Sequence, residues 1–143
     1  MIEQIFVWLG NTGAGQYLAG STAAFAATEA LHIIALSLVG GAILVADLTV
    51  LGVVLKRSRA DAVHSQLRSL FLVGLVGVVI SGVLLVAAGP YKYYTNPLFP
   101  LKLLLLAAAL VVQFFVRQRK GLAAVSLVLW TAVVVTGRWL GLI

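Results

Sequence analysis

Four apolar runs, each about 20 residues or longer, follow one another along this chain with three short polar interruptions. A helix of about 20 residues rises about 30 Å, the thickness of a bilayer's hydrocarbon core. A chain that places four such runs in 143 residues has little left for a water-soluble layered fold. Strands and loops in lipid would also leave backbone groups unsatisfied. The runs cover about residues 22–55, 62–88, 97–116 and 121–143. Between them lie "KRSRAD", "GPYKYYTNPLFP" and "RQRK", where Gly89, Pro90, Pro97 and Pro100 end one helix and start the next. The expected fold is all-α: an integral membrane, up-and-down four-helix bundle that forms a single transmembrane domain over residues 1–143. Composition agrees, with 62% hydrophobic and 10% charged residues and a mean hydropathy of +1.12, against about 45–50% apolar usage in soluble domains.

The net charge of +6 does not point to nucleic acid, because the basic residues sit at the ends of apolar runs and form no stripe with interleaved aromatics. Seven of the ten, Lys56, Arg57, Arg59, Arg68, Arg117, Arg119 and Lys120, gather around the first and third interruptions. Lys92, Lys102 and Arg138 are left for the other side. The positive-inside rule then places the first and third loops in the cytoplasm and both termini outside. Residues 1–20, with Ile2, Ile5, Phe6 and Leu9 at helical spacing beside Trp8, read as a short interfacial helix. The start of the chain has Glu3 and no early Lys or Arg, so it is read as unprocessed. Absence of cysteine excludes disulfides, iron–sulfur clusters and thiolate metal sites.

The first run holds three residues that oil should exclude: Glu29, His32 and Asp47. At about 100° per residue, the eighteen steps from Glu29 to Asp47 make five whole turns. His32 lies about 60° to one side of that line and Gly40 about 20° to the other. Such a face is expected to look into the bundle, with Gly40 and Gly41 admitting a neighbouring helix. Weaker stripes recur as Lys102 with Gln113 and as Thr131 with Arg138, and Gly74, Gly77 and Ser81 form a small-residue seam. Depth sorts these into an outer layer of Glu29, His32, Lys102 and Arg138, and an inner layer of Asp47, His64, Arg68, Gln113 and Arg117. Glu29 is expected to pair with Lys102 or Arg138, and Asp47 with Arg68 as a structural ion pair.

A b-type haem clasped by two histidines does not fit one chain. His32 is twenty-four residues before Lys56, about 36 Å of helix, whereas His64 lies just past the turn. A haem b would need His32 with a non-histidine ligand, an open position, or His32 of a second subunit. His64 reads as a solvated histidine beside the basic loop. Copper(I) lacks its soft ligands, with no cysteine and only Met1. Glu29 and His32 at i, i+3 make half of a hard-metal site, with His32 the candidate metal ligand. No serine or cysteine catalytic constellation and no phosphate-cradling loop is present, so the sequence leans away from an enzyme. Tyr91, Tyr93 and Tyr94 suit an interfacial aromatic belt. Asn96 suits an N-cap, and Lys102, one turn on, could reach Glu29 and make the loop a lid above His32.

"TEALHIIALSLVGGAILVADLTVLG" followed by "GPYKYYTNPLFPLKLLLL" resembles an uncharacterised family of small bacterial inner-membrane proteins, and more distantly the copper-resistance-D and cytochrome-b-like four-helix membrane proteins. The resemblance rests on Glu29 with His32, Asp47 with Leu48, and Asn96, Pro97, Phe99 and Lys102. Thr49 stands where the family pattern has arginine. It implies a bacterial inner-membrane location and a four-helix fold. The residues themselves suggest an outer-leaflet ligand site of Glu29, His32, Tyr93, Tyr94, Asn96, Lys102 and Arg138, with haem or quinone as the ligand class. Two other readings stand beside it: a non-catalytic membrane subunit whose polar stripe only sets helix register, and a proton or ion pathway along Glu29, His32 and Asp47. Expected partners are the lipid bilayer and a homodimer or larger membrane complex.

Overall fold

A computed structural model describes residues 1–116 and 119–142, and every regular element among them is helical. In chain order these are α1 (Ile2–Gly10), α2 (Gly13–Gly20), α3 (Thr22–Val50), α4 (Ala60–Ala88), α5 (Pro90–Tyr94), α6 (Leu98–Phe115) and α7 (Lys120–Leu142). The helices α3, α4, α6 and α7 are long and apolar enough to cross a membrane. Arg117, counted among the loop cations above, lies outside the described residues.

The first apolar run ends five residues earlier than its hydropathy suggests, because Gly52 closes the helix. Its φ of +76° is the left-handed conformation that glycine adopts without a Cβ penalty. Its N–H donates to the Thr49 carbonyl at 3.0 Å, and the Val53 N–H donates to Leu48 at 2.9 Å, the paired bonds of a Schellman stop. At the other end of the chain, the single N-terminal helix expected from spacing is two. Thr12 caps α2, its Oγ1 accepting from the Gly15 N–H at 3.1 Å while donating to the Leu9 carbonyl at 2.6 Å. Pro90 opens α5, where its missing N–H costs no helical bond.

The chain divides into two compact units, Met1–Leu38 with Val73–Pro97, and Val39–Leu72 with Leu98–Ile143. In the first unit the α1–α2 corner lies against the end of α4 and the start of α5. A Cβ at Gly15 would stand 2.8 Å from the Leu9 carbonyl oxygen and 2.9 Å from that of Ala87, and one at Gly10 would stand 2.7 Å from Pro90 Cγ. Phe6 of α1 meets Tyr94 of α5 with ring centroids 5.9 Å apart. Helices α3 and α4 approach closely at Gly77, whose Cβ position is 3.0 Å from Ala35 Cβ. The seam of Gly74, Gly77 and Ser81 is therefore a packing surface here, whereas Gly40 and Gly41 have open space where a Cβ would be.

In the second unit α6 and α7 form an antiparallel hairpin. A small core of Val50, Val116 and Ala123 is flanked by Leu51, Ala60, Val112 and Leu122. Trp130 packs edge-on against Phe71 at 6.3 Å. The buried face of α7 carries Ala123, Ser126, Trp130, Val133 and Leu140, at spacings of three, four and seven. The sequence stripe of Thr131 and Arg138 falls just off this face, and both residues are exposed. Thr131 meets its own polar need by donating to the Leu127 carbonyl at 2.7 Å.

Candidate functional site

Helix α3 decides which polar groups are inside. Its buried positions are Thr28, Ala35, Val39, Ala42, Ile43, Ala46, Asp47, Thr49 and Val50. They keep one line at about 100° per residue, since Thr28 and Ala46 are eighteen steps apart and both buried. Glu29 and Asp47 each follow one of these by one residue, so both lie about 100° away, at the edge of the buried face. Glu29 is exposed while Asp47 is 0% exposed, so what packs beside each end of the helix decides, and the helix period does not. His32 sits between Thr28 and Ala35 and is half-buried.

In the first unit His32 Nδ1 lies 2.8 Å from Ser81 Oγ. The Ser81 hydroxyl has one proton, and it donates that proton to the Gly77 carbonyl one turn back. Its oxygen is then left to accept from His32, which makes Nδ1 the protonated nitrogen and Nε2 the basic one. The ring lies flat enough along α4 that a Cβ at Gly82 would be 3.4 Å from Cε1. Ser81 had a signal in sequence only as a small residue. Its role as a polar partner follows from depth, since His32 lies ten residues into α3 and Ser81 seven before the end of the antiparallel α4.

Tyr93, in the short α5 outside the long helices, is close enough to Glu29 to feel its charge. Burial, and then that carboxylate, push the phenol above its ordinary value near 10. The neutral phenol is thus favoured by folding. Its contribution is fully present below the unfolded value and is lost as pH rises through the folded one. We expect Tyr93→Phe to flatten the alkaline limb of a stability profile measured by thermal unfolding. An identical alkaline limb in the variant would refute the placement. Tyr94 is held by Phe6, and Asn96 is half-buried two residues before α6 begins. Glu29, His32, Tyr93, Tyr94 and Asn96 therefore belong to one unit, and Lys102 and Arg138 to the other. Lys102 lies along α7, its Cε and Nζ each 3.2 Å from the Cβ position of Gly137. Among the described residues, no group of three His, Cys, Asp or Glu side chains is placed to hold a metal ion.

The second unit holds a polar cluster that corrects two expectations. Asp47 and Arg68 do not pair. Arg68 is exposed, and among the described residues neither carboxylate oxygen of the fully buried Asp47 has a hydrogen-bond partner. The groups beside Asp47 are Ser126 of α7 and Gln113 of α6, and its charge reaches His64 of α4. His64 is not solvated as a loop histidine would be: it is half-buried, and its Nε2 is buried with no partner among the described residues. Ser126 Oγ donates to Gln113 Oε1 at 2.7 Å, tying α7 to α6. Trp130 Nε1, one turn from Ser126, is also buried and without a partner among the described residues. Ser126 and Gln113 stand beside the carboxylate without closing a hydrogen bond to it, and a buried carboxylate so weakly compensated costs several kcal/mol unless it takes up a proton, a cation or water. The sequence had put Asp47, His64 and Gln113 in one layer, but pairing by opposite charge chose the long, solvent-seeking Arg68 over His64.

Comparison with known proteins finds one family, described as a family of unknown function, that matches residues 3–143. No curated protein and no solved structure matches the chain.

Proposed function

The chain belongs to that family, DUF6644, and from this premise we propose that it is a bacterial inner-membrane protein that binds a quinone-type ligand in its first unit. Four crossings would run up and down with both termini outside, which the seven cations at the first and third interruptions support. Reporter fusions at the C-terminus should then be active only when the reporter works outside the cytoplasm. Activity of a cytoplasm-only reporter there would reverse the topology. The apolar exterior supports insertion: Leu31, Ile33, Ile34, Val79, Ile80 and Val83 are each at least half exposed around the His32 level, far more than an aqueous surface tolerates in one patch.

The observation that carries the ligand reading is the oriented imidazole. Ser81 holds His32 through Nδ1, so its basic nitrogen, with Glu29 and the Tyr93 phenol nearby in the same unit, suits the hydroxyl and carbonyl groups of a quinol head. A lipid-soluble ligand would arrive through the apolar surface just described. Haem b is the second ligand of this reading, since an imidazole fixed through Nδ1 is also a well-positioned iron ligand. Distant kinship to copper-resistance-D and cytochrome-b-like proteins forms part of the same proposal. Solvent extraction of the purified protein should release a quinone, and oxidised and reduced visible spectra would show a Soret band if the ligand is haem. His32→Ala should abolish retention of either while leaving the helical signal unchanged, and Ser81→Ala should weaken it about tenfold, the loss of one orienting hydrogen bond. A wild-type protein that carries neither molecule and binds no added quinone would leave the non-catalytic subunit reading in its place.

A further inference from the structure

The cluster around Asp47 lies outside the site just proposed and is made wholly of residues of the second unit. Four of its side-chain atoms, Asp47 Oδ1 and Oδ2, His64 Nε2 and Trp130 Nε1, are buried with no hydrogen-bond partner among the described residues. A packed interior does not leave four such atoms idle, and their chemistry limits what can satisfy them. A divalent metal would want more than one carboxylate or imidazole ligand beside Asp47, and no group of three is assembled among the described residues. Ser126 has already given its proton to Gln113, so its oxygen and the carboxylate are both acceptors and need a hydrogen between them.

An opening lies one helical turn from both Asp47 and His64. A surface cleft of about 280 Å³ is lined by Val50, Arg59, Ala60 and Asp61. Val50 is one turn from Asp47 along α3, and Ala60 and Asp61 are one turn from His64 along α4. Such a volume holds several water molecules, and the exposed Arg59–Asp61 ion pair, at 3.0 Å, gives it a polar wall. We infer that Asp47 is a buried proton-binding carboxyl, reached from the α3–α4 loop side, with the His64 imidazole acting on it through its charge. A proton carried by water adds to one carboxylate oxygen and leaves a neutral water behind, and the neutral carboxyl donates to the Ser126 oxygen. Each element around Asp47 contributes to its field. From α4 come His64 and, one turn further and exposed, Arg68; α6 offers the neutral Gln113, and α7 the neutral Ser126 and Trp130.

Infrared difference spectroscopy on the full-length protein in lipid nanodiscs, titrated with pH, tests this. The carbonyl stretch of a protonated carboxyl should appear, disappear in Asp47→Asn, and persist in Asp61→Asn. In His64→Gln the band should remain but its titration midpoint should move. A parallel reading needs no variant: a hydrophobic carbodiimide, which attacks protonated carboxyls, should label Asp47 in the wild-type protein, with the adduct located by mass spectrometry and diminishing as pH rises. Wild-type and Asp47→Asn spectra that coincide, or a carbodiimide that leaves Asp47 unlabelled, overturn the inference. So does a midpoint unmoved in His64→Gln, which removes the imidazole. A midpoint that shifts with sodium concentration at fixed pH overturns it in favour of a metal cation. None of these readouts involves His32, so failure here leaves the quinone reading untouched.

Discussion

Trp130→Ala is expected to lower the unfolding free energy by about 3–5 kcal/mol, the cost of emptying a large aromatic site in a packed interior. Trp130 is only 7% exposed, and it meets Phe71 edge-on at 6.3 Å with the planes 88° apart, a geometry that adds to its area term. Its neighbours on the same helix face, Ser126 and Val133, are 0% and 2% exposed, so nothing nearby can slide in to fill the space. Trp130→Phe should cost much less, because it keeps most of the ring area and removes an indole N–H that has no partner. Denaturant titration in mixed micelles, followed by circular dichroism, measures both. An alanine variant within about 0.5 kcal/mol of the wild type, the scatter of surface substitutions, would show that the second unit is not packed as described.

Gly15→Ala is expected to destabilise the first unit by about 1–3 kcal/mol through overpacking. The new methyl would lie 2.8, 2.9 and 3.0 Å from the carbonyl oxygens of Leu9, Ala87 and Gly10. All three are backbone atoms, so no side chain can swing aside and the α1–α2 corner must lift from α4. Lifting it also pulls Phe6 away from Tyr94. Gly20→Ala is the matched control: it meets nothing within 4 Å and should be neutral or slightly stabilising, by up to about 1 kcal/mol of helix propensity. Limited proteolysis between α1 and α3, with thermal unfolding alongside, would report the difference. Equal behaviour of the two variants would mean that the corner does not sit where these contacts put it.

Local chemistry in the sequence was enough to mark most helix ends. Proline and glycine at positions 89, 90, 97 and 100, and the basic loops, mark breaks that the helices respect to within a few residues. The exception, Gly52, is instructive. Hydropathy continues through Val53, Val54 and Leu55, so an apolarity reading runs on to Leu55, while backbone conformation stops the helix at Val50. The split of the N-terminal segment was hidden for a similar reason, because the Thr12 cap is a bond between one side chain and one backbone N–H and leaves no trace in a periodic pattern.

Sequence by itself determined that the chain is helical, that four of its helices can cross a membrane, and that Glu29, His32 and Asp47 are its unusual residues. These follow from run length, composition and the scarcity of charge, which are properties of single segments. Only the tertiary structure decided which of those residues are inside and what they touch. A stripe drawn at 100° per residue puts Glu29 and Asp47 on one line at the edge of the buried face, and that edge is covered at Asp47, where Ser126 and Gln113 stand, and open at Glu29. Partner choice is likewise a property of neighbouring helices. Charge alone assigns Arg68 to Asp47, yet a long guanidinium side chain reaches solvent more cheaply than it enters a core. Gln113, Ser126 and His64, which carry little or no formal charge, are the groups that the fold brings to the buried carboxylate.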